Sequence, residues 1–287
     1  MDRLSATLIG ETMQTHQTIE VGGLTRTYTL ITPDGGHDRL VLVLHGSGQT
    51  AATHRTFTGN AFDGLRRSAV AYLDGIGRQW NDARKQSRAK ARIRGIDDVG
   101  FAAAVAHRHG AGLPVYAVGY SNGGGLVIRL LHERPDVVAG AVVVAAQQPA
   151  ADNFLVPGLP VVPRPVLLIH GTKDRIVPYA GGEMAKWAQI AFRSGGAMLS
   201  SPQTAAYFAG RNGITTPPQT ADLPASAPGR TSVSRTDYRQ EGRPPVTLYT
   251  VHGGGHTIPG PVDSPALMGR TGHDIHTAAA IEEFLGF

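Results

Sequence analysis

The sequence predicts an α/β protein: one domain built on a mostly parallel central sheet with helices on both faces. Three observations lead there. Short, continuously apolar runs recur along the chain, segments long enough for helices separate them, and no repeat at solenoid or propeller spacing interrupts the series. A strand that is apolar at every position has both faces covered, the mark of a parallel sheet flanked by helices. With 287 residues, 41% of them hydrophobic, the chain can bury one large core and has little room for a second. Residues 1–287 are therefore read as a single catalytic-sized domain.

Taken in order, Thr18 to Ile31 holds two β-prone runs around Gly22-Gly23 and predicts a hairpin. Leu40 to Leu44 is a fully apolar run before a glycine loop, and similar runs follow at Val115 to Val118, Val137 to Ala145, Val166 to Ile169 and Val246 to Val251. Helical segments are expected near Asp97 to His109, Gly123 to Glu133 and Ser201 to Arg211, with a closing helix at Ile275 to Phe284. Leu155 to Pro165 and Pro217 to Arg230, both Pro-rich, predict surface excursions. Asp97 and Asp98 stand at a helix start, where carboxylates satisfy free amides, and read as caps.

Composition narrows the function classes. The net charge of +5 is concentrated in Arg84, Lys85, Arg88, Lys90, Arg92 and Arg94, a stretch with no acid and no aromatic on which a base could stack. It predicts a solvated basic loop and no nucleic-acid partner. There is no cysteine, so thiolate chemistry and disulfides are excluded. No run reaches the 18 or so apolar residues of a membrane span, and Met1 to Gln17 has no apolar leader core. As written, the sequence predicts a cytoplasmic protein; an exported chain whose leader had been removed would read the same way. The histidines do not fall at metal-ligand spacing, and no phosphate-loop or dinucleotide fingerprint is present, so neither metal nor cofactor is expected.

The sharpest motif is Gly119-Tyr120-Ser121-Asn122-Gly123, a G-x-S-x-G set directly after an apolar run and directly before a helical pattern. On such a strand-to-helix turn the serine hydroxyl is lifted above the carboxyl edge of the sheet, which makes Ser121 the candidate nucleophile. A serine hydroxyl needs a general base and a carboxylate that orients it. Asp174, in the loop after Val166 to Ile169, is the expected acid. His256, in Gly253-Gly254-Gly255-His256, is the expected base, with His252 at the strand terminus as its competitor. The chain order Ser, Asp, His is that of the α/β-hydrolase fold. His45-Gly46-Ser47-Gly48 supplies a loop whose amides can face a developing oxyanion, so the amides of Ser47 and Asn122 are the expected donors.

With those residues in place the chain resembles the polyhydroxybutyrate depolymerase and feruloyl esterase group of α/β-hydrolases, from about Tyr28 to Phe284. The resemblance rests on Leu44 to Thr50, Trp80-Asn81-Asp82, Asp97 to Phe101, Gly119 to Gly124, His170 to Asp174 with Val177-Pro178-Tyr179, and Gly253 to Thr257 with Pro259-Gly260. It implies Ser121, Asp174 and His256 as the triad and Ser47 and Asn122 as the oxyanion positions. Trp80, Tyr120 and Ile258 are the expected substrate contacts, and Trp80 and Asp82 would also anchor their loop. Two departures stand out: relatives often carry a cysteine where Ser47 stands, and a tryptophan where Ile258 stands. The implied activity is hydrolysis of small or oligomeric carboxylic esters through an acyl-enzyme. A serine peptidase or a silent binding protein on the same fold are the alternatives. Fluorophosphonate labelling separates silent from active, and paired p-nitrophenyl ester and p-nitroanilide substrates separate esterase from peptidase.

Overall fold

The computed structural model describes residues 6–9, 12–224 and 231–287. Eleven strands form one sheet among the described residues: β1 (Ala6–Ile9), β2 (Thr12–Val21), β3 (Leu24–Pro33), β4 (Arg39–Leu44), β5 (Ser68–Leu73), β6 (Val115–Tyr120), β7 (Gly140–Val144), β8 (Val166–Gly171), β9 (Gln219–Asp222), β10 (Ser232–Tyr238) and β11 (Val246–His252). The helices are α1 (Ala51–Phe57), α2 (Lys90–Ile93), α3 (Asp98–His109), α4 (Asn122–Glu133), α5 (Lys186–Phe192), α6 (Ser201–Arg211) and α7 (Thr277–Leu285).

The sheet order is β1-β2-β3-β5-β4-β6-β7-β8-β11-β10-β9, and the inner strands from β5 to β11 pair in parallel. Antiparallel strands close both edges. Along each inner strand successive side chains enter opposite layers. Leu40, Leu42 and Leu44 join the core that holds Phe101, Leu126 and Phe208 of α3, α4 and α6, while Val41 and Val43 join the core with Ala51 and Ile281 of α1 and α7. The sheet is thus covered on both faces, and its strands are apolar throughout for that reason. After β4 the chain turns outward to β5; after β6 it runs the other way through β7, β8 and β11. The order reverses between β4 and β6, and the crevice beyond the carboxyl ends at such a reversal is where open α/β sheets bind ligands.

The expected hairpin is present. β2 pairs with β3 from Val21↔Leu24, and Gly22 (φ 58°) and Gly23 (φ 73°) supply the two left-handed residues of its two-residue turn. The Pro217 to Arg230 excursion needs correction. Gln219–Asp222 pairs with β10 as an edge strand exposed at every residue, so no apolar alternation marks it; residues 225–230 lie outside the described residues. β5, α1, α2, α5 and β10 were also not foreseen. No helix among the described residues is long and apolar enough to cross a membrane.

Asp97 caps α3 by accepting from the Gly100 amide at 2.7 Å, as expected. Asp98 does more than cap. It is fully buried, pairs with Arg26 of β3 at 2.7 Å, and accepts the Asn81 amide at 2.7 Å. One ion pair thereby ties the loop before α3 to the sheet. Burial pushes the Asp98 carboxyl up, against the pull of Arg26. Arg26→Met, which leaves that carboxylate buried without its cation, is expected to cost about 3–5 kcal/mol of stability. A denaturation midpoint unchanged from wild type would contradict this.

Candidate active site

Ser121 is the first residue past β6 and carries φ 53° and ψ −117°, a conformation rarely taken by a residue with a side chain. Such a residue costs on the order of 1–3 kcal/mol and persists only where its surroundings fix it. Here Ser121 N donates to Val144 O at 2.9 Å, and Gly125 N donates to Ser121 O at 3.0 Å. The flanking glycines are required by space. A Cβ on Gly119 would lie 2.4 Å from the Gly123 carbonyl oxygen, and one on Gly123 would lie 2.1 Å from that of Leu44. The backbone of α4 therefore starts pressed against β4.

His256 stands on the loop after β11, fixed at both backbone atoms. Its N–H donates to Met268 O at 2.7 Å, and its carbonyl accepts from the Tyr120 hydroxyl at 2.7 Å. Its Nε2 lies 2.9 Å from Ser121 Oγ and its Nδ1 2.6 Å from Asp174 Oδ2. A carboxylate can only accept, so Nδ1 carries the proton and Nε2 turns its lone pair to the serine hydroxyl. The structure thus brings Ser121, His256 and Asp174 into one chain of hydrogen bonds. His252 is not part of it: it is exposed and bonds Ser234 Oγ at 2.9 Å.

Asp174 is buried, and both of its oxygens are engaged. Oδ1 accepts the amides of Ile176 and Val177, each at 2.8 Å; Oδ2 accepts from His256 and also faces His170 Nε2 at 3.1 Å. Burial alone would raise its carboxyl, but the charge of His256 and the bonds from His170 and His256 outweigh burial and hold it well below the usual carboxylate range.

Ser47 and Asn122 line the same narrow cavity as Ser121. Neither backbone amide donates to another group among the described residues, and Asn122 N opens α4, where the helix dipole favours negative charge. Trp80 has no exposed surface, so it is not a substrate contact in this structure. Its ring packs 4.7 Å from His45, its Nε1 donates to His45 O at 2.8 Å, and its amide donates to Asn122 Oδ1 at 2.7 Å. It is a strut between the His45–Ser47 loop and the start of α4. Asp82, also fully buried, takes Asn122 Nδ2 at 2.6 Å and so anchors the same turn. Burial pushes the His45 imidazole down to about 4, which keeps it neutral and lets Nε2 accept from Gly75 N at 3.0 Å.

Two further expectations are corrected. Tyr120 is buried between His54 and Phe57 on one side and His256 on the other, and holds the His256 loop through its hydroxyl. Ile258 points into a different cavity, of about 260 Å³, with Phe57, Pro259 and Val262. The residues that do wall the Ser121 cavity are Arg84, Ala146, Gln147, Val177, Met184, Phe192 and Met198. Arg84 thereby leaves the expected solvated loop: its Nε donates to Asp82 Oδ2 at 3.0 Å and its Nη1 reaches Ser194 Oγ. The methionines and Phe192 come from segments with no catalytic motif, so sequence alone gave no signal for them. Among the described residues no group of three or more histidines and carboxylates could hold a metal.

No family model matches the chain. It is 32% identical over 296 aligned positions to the Nocardia uniformis subsp. tsuyamanensis protein named "Putative esterase NocK", covering 96% of this chain and 84% of that one. The chain belongs to the α/β-hydrolase esterases. A solved cold-adapted esterase from an Arctic intertidal metagenomic library shares the fold of this α/β-hydrolase at 14% identity, with a TM-score of 0.52 over 98% of this chain and 97% of that one.

Because the Asp174 carboxyl is depressed by folding, it contributes stability that is fully present above the unfolded value of about 4 and is lost as pH falls through the depressed value. Between about pH 5 and about pH 2 the wild type is therefore expected to lose more stability than Asp174→Asn. Parallel declines in urea midpoint for the two proteins would remove this contribution.

Proposed function

We propose that this α/β-hydrolase is a serine carboxylic-ester hydrolase that works through an acyl-enzyme. Ser121 Oγ attacks the ester carbonyl while His256 Nε2 takes its proton, and the tetrahedral oxyanion is received by the amides of Ser47 and Asn122. The imidazolium, steadied by Asp174, then gives the proton to the leaving alcohol oxygen as the C–O bond breaks. Water then attacks the acyl carbonyl as His256 takes its proton, and His256 returns that proton to Ser121 Oγ as the acyl–oxygen bond breaks and the acid leaves. The observation that carries the reading is the unbroken contact from Ser121 Oγ to His256 Nε2 at 2.9 Å and from Nδ1 to Asp174 at 2.6 Å, beside two free amides.

The cavity supports a reading of the substrate. Its free volume is about 30 Å³, room for little more than one or two waters, between the apolar side chains of Ala146, Val177, Met184, Phe192 and Met198. Such a slot suits a short acyl chain and favours small esters or short oligomers.

Ser121→Ala and His256→Ala are each expected to lower kcat on p-nitrophenyl acetate at least about 10³-fold, with the double variant little worse, since the residues act as a unit. His252→Ala should stay near wild type; a loss confined to His252→Ala would overturn the assignment of the base. Along a p-nitrophenyl series from acetate to palmitate, kcat/KM should peak at the short end, and a maximum at palmitate would show that the cavity opens to long chains.

A further inference from the structure

The proposed mechanism leaves one buried titratable side chain beside the triad without a task. His170, the fifth residue of β8, is only 2% exposed, and every polar atom of its ring is engaged. Nε2 faces two groups that can only accept, Asp174 Oδ2 at 3.1 Å and the Val177 carbonyl at 3.0 Å, so it carries the proton. Nδ1 therefore presents a lone pair, and it lies 2.8 Å from Ser201 Oγ. Ser201, at the start of α6, takes an amide N–H from Gln147 Nε2 at 3.1 Å and so gives its own hydrogen to Nδ1. Gln147 is itself held in that orientation, because the same Nε2 also faces the Pro178 and Tyr179 carbonyls at 2.9 and 3.1 Å. Donors thus run in one direction, from Gln147 to Ser201 to His170, and end on the carboxylate oxygen that also holds His256.

We propose that His170 is a positioning residue that sets how strongly Asp174 grips His256. Two imidazoles compete for the lone pairs of Oδ2, and each N–H that His170 donates lowers the negative charge left for the other. The carboxylate remains ionised and aligned, yet it stabilises the His256 imidazolium less than an unshared carboxylate would. Ser201 and Gln147 enforce this by fixing the tautomer: with Nδ1 facing a donor, His170 cannot turn its proton away from Asp174. The remaining charged or titratable neighbours of the couple are few. Tyr120 packs on His256 with its hydroxyl on the backbone, Tyr179 meets the His170 ring edge-on, and Lys173 and Arg175 flank Asp174 from exposed positions.

The inference rests on the reading of Ser121, His256 and Asp174 as the triad, and the test separates the two. The pH dependence of kcat/KM for p-nitrophenyl acetate is measured for wild type, His170→Phe, His170→Asn and Ser201→Ala. His170→Phe, with no donor for Oδ2, is expected to move the acid limb to higher pH by about half a unit or more, with a lower plateau. His170→Asn, which keeps an N–H at that edge, should move it back, and Ser201→Ala should shift it in the same direction as His170→Phe by less. Imidazole ¹⁵N resonances of the intact wild-type enzyme should show the proton of the neutral His170 ring on Nε2, a readout that holds even if His170→Phe does not fold. A limb unmoved in both Ser201→Ala and the folded His170 variants overturns the inference, as does a His170 proton on Nδ1. If wild type itself shows no turnover of the ester, the triad reading fails first.

Discussion

Everything at the site depends on one backbone constraint, the turn at Ser121. Its left-handed conformation is held by Val144 on one side and Gly125 on the other, and it is reachable only because Gly119 and Gly123 lack side chains. The same close approach sets the amide of Asn122 beside the His45–Ser47 loop at the point where strand order reverses between β4 and β6. The strain is repaid by the two cores that clamp the sheet, so the fold stores at one residue a geometry that a flexible loop would not keep.

Around that turn the support is polar and buried. Trp80 and Asp82 bind the Asn122 side chain, Tyr120 binds the His256 carbonyl, and four donors surround the Asp174 carboxylate. Each of these side chains has little contact with solvent, so hydrogen bonds among them fix position far better than surface ones would. The buried Trp80 and Tyr120 therefore serve alignment, and the wall of the Ser121 cavity is left to residues such as Val177, Met184, Phe192 and Met198. Methionine is adaptable, so Met184 and Met198 leave the shape of this narrow slot some freedom.

Much of this was legible in the sequence because the relevant signals are local. Gly119 to Gly123 carries its own strand and helix context, and Asp174 and His256 each follow an apolar run that ends at the same sheet edge. What was not legible depends on partners far along the chain. His170 meets Ser201 through α6, Asp98 meets Arg26 across 72 positions, and Arg84 is drawn out of a basic run towards Ser194 across 110. Trp80 and Tyr120 invite a substrate role by their place beside motifs, and only burial shows their polar tips spent on backbone carbonyls. Edge strand β9 and its antiparallel neighbour β10 lack the two-sided apolar pattern that reveals the inner strands.

The central claim is that Ser121 is a hydroxyl activated by its surroundings, and covalent trapping addresses it most directly. The intact protein is treated with a fluorophosphonate, digested and mapped by mass spectrometry. The account predicts a single adduct on the peptide carrying Ser121, abolished by Ser121→Ala and slowed strongly by His256→Ala. No adduct, or one on another serine that survives Ser121→Ala, would contradict it.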